Sequence, residues 1–418
     1  MNKEPRSYKW ELLVILWIAY FLNQGDRQIY NAVLPLIKAD LHVSDVQLGL
    51  VATAFTLLYG VFVPLAGCLG DFVTKKWIVC LSLLTFSVGT LFTGLSTGIF
   101  LLILFRSVAT GVGEAFYYPA ANSLIGQYHH KTRAQAMAVH QSSLYVGIVA
   151  SSWIAGWVGE LHGWRTTFYT FGSFGLLMAA VVAIRLRNEH ADAADARPAD
   201  EVPAPAVKLG DVLRSVLRTP TLYFLSLAFG GMVFVGVGYQ TWMPTFLYEK
   251  FHLSLKEAAL NSMLYHYIFA FIGVMVGGRV SDRLAIRRPS IRMEMEYVGL
   301  LLGAPFIWLM GTSGNVTMVY VALAGFGFFR GVYDSNLFAA LFDVIHPRYR
   351  SSATGLMLCC AFTVGATSPV LLGYVKQHVN LSFGLSALAF VYLIGGGLIF
   401  FATKYFFSKD YIHEGATS

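Results

Sequence analysis

The sequence predicts an all-α membrane protein of twelve transmembrane helices, arranged as two pseudo-symmetric bundles of six. Three observations lead there. Of 418 residues, 56% are apolar and only 13% charged, whereas soluble domains carry about a quarter charged residues. The mean hydropathy is +0.59, and the apolar residues gather in runs close to the ~20 residues that cross a bilayer. One long polar stretch separates six such runs from six more.

The first run, 10–37, follows MNKEPRSYKW and continues far past signal-peptide length without a small-residue cleavage site, so it is expected to remain as a helix. Runs at 46–70, 77–97, 99–125, 134–158 and 165–186 complete the first bundle, each bounded by charge, Pro or Gly. Residues 185–218 are rich in Ala, Pro and Asp, the composition of a linker with at most a short surface helix. The second six runs are 220–247, 257–281, 295–312, 316–344, 351–376 and 381–406. The expected domains are therefore 1–186, a cytoplasmic linker at 187–218, and 219–418. Glycines such as Gly111, Gly273 and Gly395 read as close-packing positions.

The halves repeat. GCLGDFVTKK, Gly67 to Lys76, lines up with GRVSDRLAIRR, Gly278 to Arg288, 211 positions later. LHVS, Leu41 to Ser44, lines up with FHLS, Phe251 to Ser254, 210 positions later. Parallel repeats of this kind predict a site near the bilayer midplane, at the interface of the halves.

Orientation follows from Lys and Arg. The side holding the termini, the linker and the loops after helices 2, 4, 8 and 10 has 22 of the 30 basic residues, and the opposite side has five. That bias places both termini in the cytoplasm and the chain in the cell's inner (plasma) membrane. The net charge of +7 is thus topology, and nucleic acid is not an expected partner. Cys68, Cys80, Cys359 and Cys360 fit no zinc or redox spacing. No HExxH, Walker loop or appended soluble domain is present, which argues against an enzyme and an ATP-driven pump, while a non-transporting membrane sensor stays the alternative of another class, although a sensor usually carries a larger cytoplasmic module. No cofactor or metal is expected, and the chain reads as a monomer.

The last three basic residues, Arg27, Arg106 and Arg330, fall inside apolar runs together with Asp26, Glu114 and Asp334. Each charge at the bilayer centre costs at least ~2.5–3.5 kcal/mol, so such residues usually face a wet cavity and serve a function. Asn23, Arg27 and Asn31 form a stripe at i, i+4, i+8, with Asp26 and Tyr30 beside it. Glu114 follows Arg106 by eight residues, about 80 degrees round an ideal α-helix and roughly 12 Å along it. Tyr117, Tyr118 and Asn122 share that region, and Pro119 can loosen the helix. Arg330 and Asp334, at i and i+4, can pair directly.

Arginine suits bidentate recognition of carboxylate or phosphate, so Arg27 and Arg106 read as anion clamps, or alternatively as structural partners of Asp26 and Glu114. A carboxylate taken out of water favours its neutral form and a neighbouring arginine opposes this. An anion that occupies the arginine would then promote proton uptake by Asp26 or Glu114. Gln141 and Tyr145, Tyr239 and Gln240, Tyr265 and His266, and Asn336 could line the cavity, although helix packing explains each equally well. His140 reads as a core histidine.

The two repeated loops resemble the signature loop of the major facilitator superfamily. The resemblance implies that fold over the whole chain, with Asp71, Lys75, Lys76, Asp282 and Arg283 forming a conformational gate in which the carboxylates cap neighbouring helices and pair with basic residues. The first copy departs from the pattern at Phe72 and Thr74. The Asp26–Arg27 pair, the helix-4 stretch GVGEAFYYPAANSLI with Arg106 upstream, and WMPTFLYEKFHLSLKEA resemble the anion:cation symporters of sugar acids, hexuronates and sialic acid. That implies proton coupling at Asp26 and Glu114, with anion binding at Arg27 and Arg106; sodium is the alternative cation. The helix-4 stretch and HHKTRAQAMA also resemble Spinster-like lysolipid and sphingoid-phosphate transporters. Arg330 and Asp334 fit neither pattern.

Overall fold

The computed structural model describes residues 8–69, 73–129, 132–187 and 218–412. Asp71 and nearly all of the expected linker lie outside what is described. Among the described residues the structure is helical, and 11 helical stretches are long and apolar enough to cross a membrane. The twelfth expected crossing, α1 (Tyr8–Ala32), falls short because Asn23, Gln24, Asp26, Arg27 and Gln28 interrupt it.

The expected first run bends at Val33, ahead of Pro35, and continues as α2 (Leu34–Leu41). There follow α3 (Asp45–Leu69) and α4 (Lys75–Thr93). The fourth crossing is composite: α5 (Ile99–Leu102), a π-helical segment (Ile103–Ala109), α6 (Thr110–Ala115) and α7 (Tyr117–Tyr128). Then come α8 (Arg133–His162) and α9 (Trp164–Arg185). At the start of α9, hydrogen bonds from Arg165 and Trp164 tie Asp40 and hold its carboxyl below the usual range.

The later helices are α10 (Pro220–Phe251), α11 (Leu255–Ala285), α12 (Ile291–Thr312) and α13 (Val316–Asp334), followed by α14 (Leu337–Val344). The series closes with α15 (Arg350–Ala366), α16 (Ser368–His378), α17 (Leu381–Tyr405) and the short α18 (Phe407–Asp410). Asparagine side chains start two of them: Asn315 accepts from the Thr317 N–H at 2.8 Å, and Asn380 from the Phe383 N–H at 2.8 Å. Such caps satisfy donors that no preceding turn can reach.

The repeat is visible in the backbone. Among the described residues, the non-glycine positions with positive φ are His42 (50°) and His252 (53°), which are equivalent in the 210-residue register. Two residues on, each copy has a capping box. The Ser44 N–H donates to Gln47 Oε1 at 2.8 Å and the Gln47 N–H to Ser44 Oγ at 3.2 Å. Ser254 and Glu257 make the same reciprocal pair, at 3.2 and 3.4 Å. Each box satisfies two orphan donors of the helix that follows.

The chain divides into two compact units, Met1–Val202 with Met243–Met263, and Pro203–Trp242 with Leu264–Ser418. In the first unit α1 packs on α8, and Ser143 Oγ donates to the Trp17 carbonyl at 2.7 Å. There α4 meets α6 so closely that a Cβ on Gly113 would lie 2.7 Å from the Phe86 backbone nitrogen. In the second unit α12 packs between α13 and α17.

Candidate functional site

In the first unit four charges from two crossings come together, at the positions where α1 and the composite helix face each other. Arg27 Nε is 2.7 Å from Glu114 Oε2, and the Glu114 side chain is wholly buried. Asp26, 2% exposed, accepts from Thr90 Oγ1 at 2.7 Å, and its Oδ2 and Glu114 Oε1 are buried without a hydrogen-bond partner. Arg106, 3% exposed, is 4.2 Å above the Phe55 ring and 5.6 Å from that of Tyr30. One of its nitrogens reaches the Arg27 carbonyl at 3.5 Å, while Nε and Nη1 meet no hydrogen-bond partner.

Local structure explains how these residues meet. The π-helical segment at Ile103–Ala109 widens the turn that carries Arg106, and Thr110 Oγ1 back-bonds to the Phe105 carbonyl at 2.9 Å. π-Bulges of this kind are frequent at functional sites. The separation expected from an ideal α-helix between Arg106 and Glu114 therefore does not hold. The helix then breaks at Phe116, because Pro119 has no N–H to give to the Ala115 carbonyl.

The other expected residues of this unit are placed more variously. Tyr30 is 1% exposed and donates to the Leu48 carbonyl at 2.9 Å, so its hydroxyl is committed to helix packing. Asn31 reaches Gln28 at 3.5 Å. Tyr118 and Gln141 are 3.4 Å apart on an exposed face, and Asn122 and Tyr145 are half-buried. Residues not foreseen complete the site: Thr90 beside Asp26, and Tyr59, whose ring lies 4.0 Å from the Arg27 guanidinium. His140 stacks on Tyr20 at 4.6 Å and lies 3.3 Å from the Tyr117 hydroxyl, which donates to the Leu16 carbonyl.

In the second unit Arg330 Nε faces Asp334 Oδ2 at 3.5 Å. Its guanidinium lies over Gly236, where a Cβ would be 2.9 Å from Nη1. His266, 0% exposed, packs 4.8 Å from Tyr239 and 4.5 Å from Phe326, with no hydrogen-bond partner for either ring nitrogen. Tyr265 stacks on Tyr320 at 4.6 Å, and Gln240 is half-buried. Asn336 donates to the Val332 carbonyl at 3.0 Å, where the helix breaks between α13 and α14. Among the described residues no group of three His, Cys, Asp or Glu side chains could hold a metal.

Of the gate expected from the signature loops, Asp282, Arg283, Lys75 and Lys76 are described. Asp282 and Arg283 are exposed inside the last turn of α11, which continues to Ala285. Lys75 and Lys76 are half-buried at the start of α4.

A set of buried charge in each unit of a many-helix apolar chain fits a multi-pass membrane transporter. The chain belongs to the Major Facilitator Superfamily, whose description matches residues 16–369. It is 27% identical to "Protein spinster homolog 1" of Xenopus tropicalis, over 96% of this chain and 81% of that protein. It is 25% identical to the "Hexuronate transporter" of Bacillus subtilis (strain 168), over 94% and 93%. A solved bacterial homolog of the human lysosomal transporter Spinster superposes with a TM-score of 0.85 at 22% identity, covering 98% of this chain and all of that one. The family and these relatives are transporters, not enzymes.

Proposed function

We propose that the chain is a proton-coupled symporter of a small organic anion of the sugar-acid or hexuronate type, working by alternating access in the cell's inner membrane with both termini cytoplasmic. The observation that carries this reading is the closed quartet of Asp26, Arg27, Arg106 and Glu114. Two acids and two arginines cancel, and one guanidinium, Arg106, has donors to spare. A carboxylate on Arg106 or Arg27 competes with Glu114 for positive charge. Once released from Arg27, Glu114 takes up a proton, since a bare carboxylate away from water is costly. Anion and proton then cross together. Arg330, Asp334, Tyr239, Gln240, Tyr265 and His266 are proposed to contribute to recognition from the second unit. The likeness to a hexuronate transporter supports the substrate class.

The test is uptake of galacturonate into proteoliposomes driven by an imposed pH gradient. Asp26→Asn and Glu114→Gln are each expected to abolish accumulation while retaining exchange of labelled for unlabelled galacturonate. Accumulation that persists in both variants overturns proton coupling at these acids.

A lysophospholipid is the second reading, favoured by the likeness to Spinster and by an apolar cavity of about 350 Å³ lined by Ile18, Phe21, Ile154, Phe171, Phe174 and Leu177. Thermal stabilisation by lysophosphatidate and not by galacturonate would establish it in place of the first.

A further inference from the structure

Glu296, in the second turn of α12, was not foreseen as a functional residue. It is 0% exposed, and neither of its carboxyl oxygens has a hydrogen-bond partner. The helix that carries it is pressed against α13: a Cβ on Gly299, one turn on, would lie 2.8 Å from the Phe329 carbonyl and 3.2 Å from the Tyr333 nitrogen. That contact sets the turn carrying Glu296 beside the Tyr333–Asp334 end of α13, where the Tyr333 hydroxyl is itself buried without a hydrogen-bond partner.

Charged groups on the helices around it have partners of their own. Arg330 is paired with Asp334 at 3.5 Å. Asp343 of α14 is paired with Arg292 at 2.7 Å. From α17, the Tyr392 hydroxyl is buried without a hydrogen-bond partner. No cation among the described residues is within hydrogen-bond reach of either Glu296 oxygen. An ionised carboxylate without partners in such a place costs far more than a proton does, and two neighbouring carboxyls cannot both stay charged there.

We propose that Glu296 is a proton-storing residue of the second bundle, exchanging its proton with Asp334. Of the two, Asp334 is the one with an outlet, since its side chain is 35% exposed. In the exchange the O–H bond of Glu296 breaks and one forms on the Asp334 carboxylate, so the pair keeps a single negative charge. Displacement of Arg330 from Asp334, as by an anion binding to the guanidinium, drives the proton onto Asp334. Only the use of that proton in transport rests on the reading above.

The experiment is infrared spectroscopy of the purified full chain in lipid nanodiscs, titrated with pH and read at the carbonyl band of protonated carboxyls. Glu296→Gln, which has the shape of the neutral acid, is expected to fold and to remove one such band that Asp26→Asn and Glu114→Gln retain. Asp334→Asn, with the neighbouring negative charge gone and Arg330 freed, is expected to make the band disappear at lower pH than in the wild type. It serves also if Glu296→Gln does not fold. A band unchanged by Glu296→Gln, or one whose pH response Asp334→Asn does not move, overturns the proposal. Failure of galacturonate transport would leave this readout intact.

Discussion

Arg106 is held by flat surfaces rather than by a facing carboxylate: the Phe55 ring at 4.2 Å and the Tyr30 ring at 5.6 Å flank its guanidinium. Lysine has the charge but not the plane, and it offers no fork to a carboxylate. Arg106→Lys is therefore expected to raise the KM for galacturonate at least ~10-fold, equivalent to about 1.4 kcal/mol, with the protein remaining folded. An unchanged KM would remove Arg106 from the anion site. At this scale the sequence was informative wherever a charge interrupted an apolar run. Asp26, Arg27, Arg106 and Glu114 stood out because lipid does not tolerate them unpaired. Thr90 did not, because a threonine in an apolar run looks like any packing residue. Glu296 did not either, lying at the edge of its run, although Met293, Glu296, Leu300, Gly303 and Ile307 recur at helical spacing and are all buried.

The fourth crossing shows what helices add to their residues. Expected as one run at 99–125, it is four segments, and the wide turn at Ile103–Ala109 directs Arg106 toward α1. Apolar periodicity could place the span but not its interruptions, because a π turn depends on which carbonyl each N–H selects. Pro119 was the exception, a visible cause for the break at Phe116. The crossing also depends on intimate contact with α4. Gly113→Val would put new carbon 2.7 Å from backbone at Phe86, where no rotamer can relieve it. Overpacking of this kind costs typically ~1–3 kcal/mol. A loss of several degrees in melting temperature is expected, and none for Gly98→Ala, which has nothing within 4 Å. Equal melting temperatures would mean that the two helices can part without penalty.

At the scale of the whole molecule, the 210-residue register was legible from two short matches, and the structure extends it to a shared backbone turn and a shared capping box at His42–Gln47 and His252–Glu257. Side chains such as Phe174, 58% exposed in α9, present an apolar surface to lipid. Phe174→Lys is expected to cost about 2.5–3.5 kcal/mol and to lower the yield of membrane-inserted protein. Ile286→Lys, at an 89% exposed loop position, is expected to leave the yield unchanged. Similar yields for both would contradict the assignment of α9 to the bilayer.

The interrupted character of α1 matters most while the chain is being made. Among the long helices described, α1 is the one that falls short of the apolar length for crossing lipid on its own, and its partner contact from Ser143 to Trp17 lies 126 residues downstream. At about 5–20 residues per second of synthesis, that partner arrives roughly 6–25 s later. Until then Asp26 and Arg27 need shelter from water or from the insertion machinery, so the charges that equip the finished transporter also set a waiting time in its biogenesis.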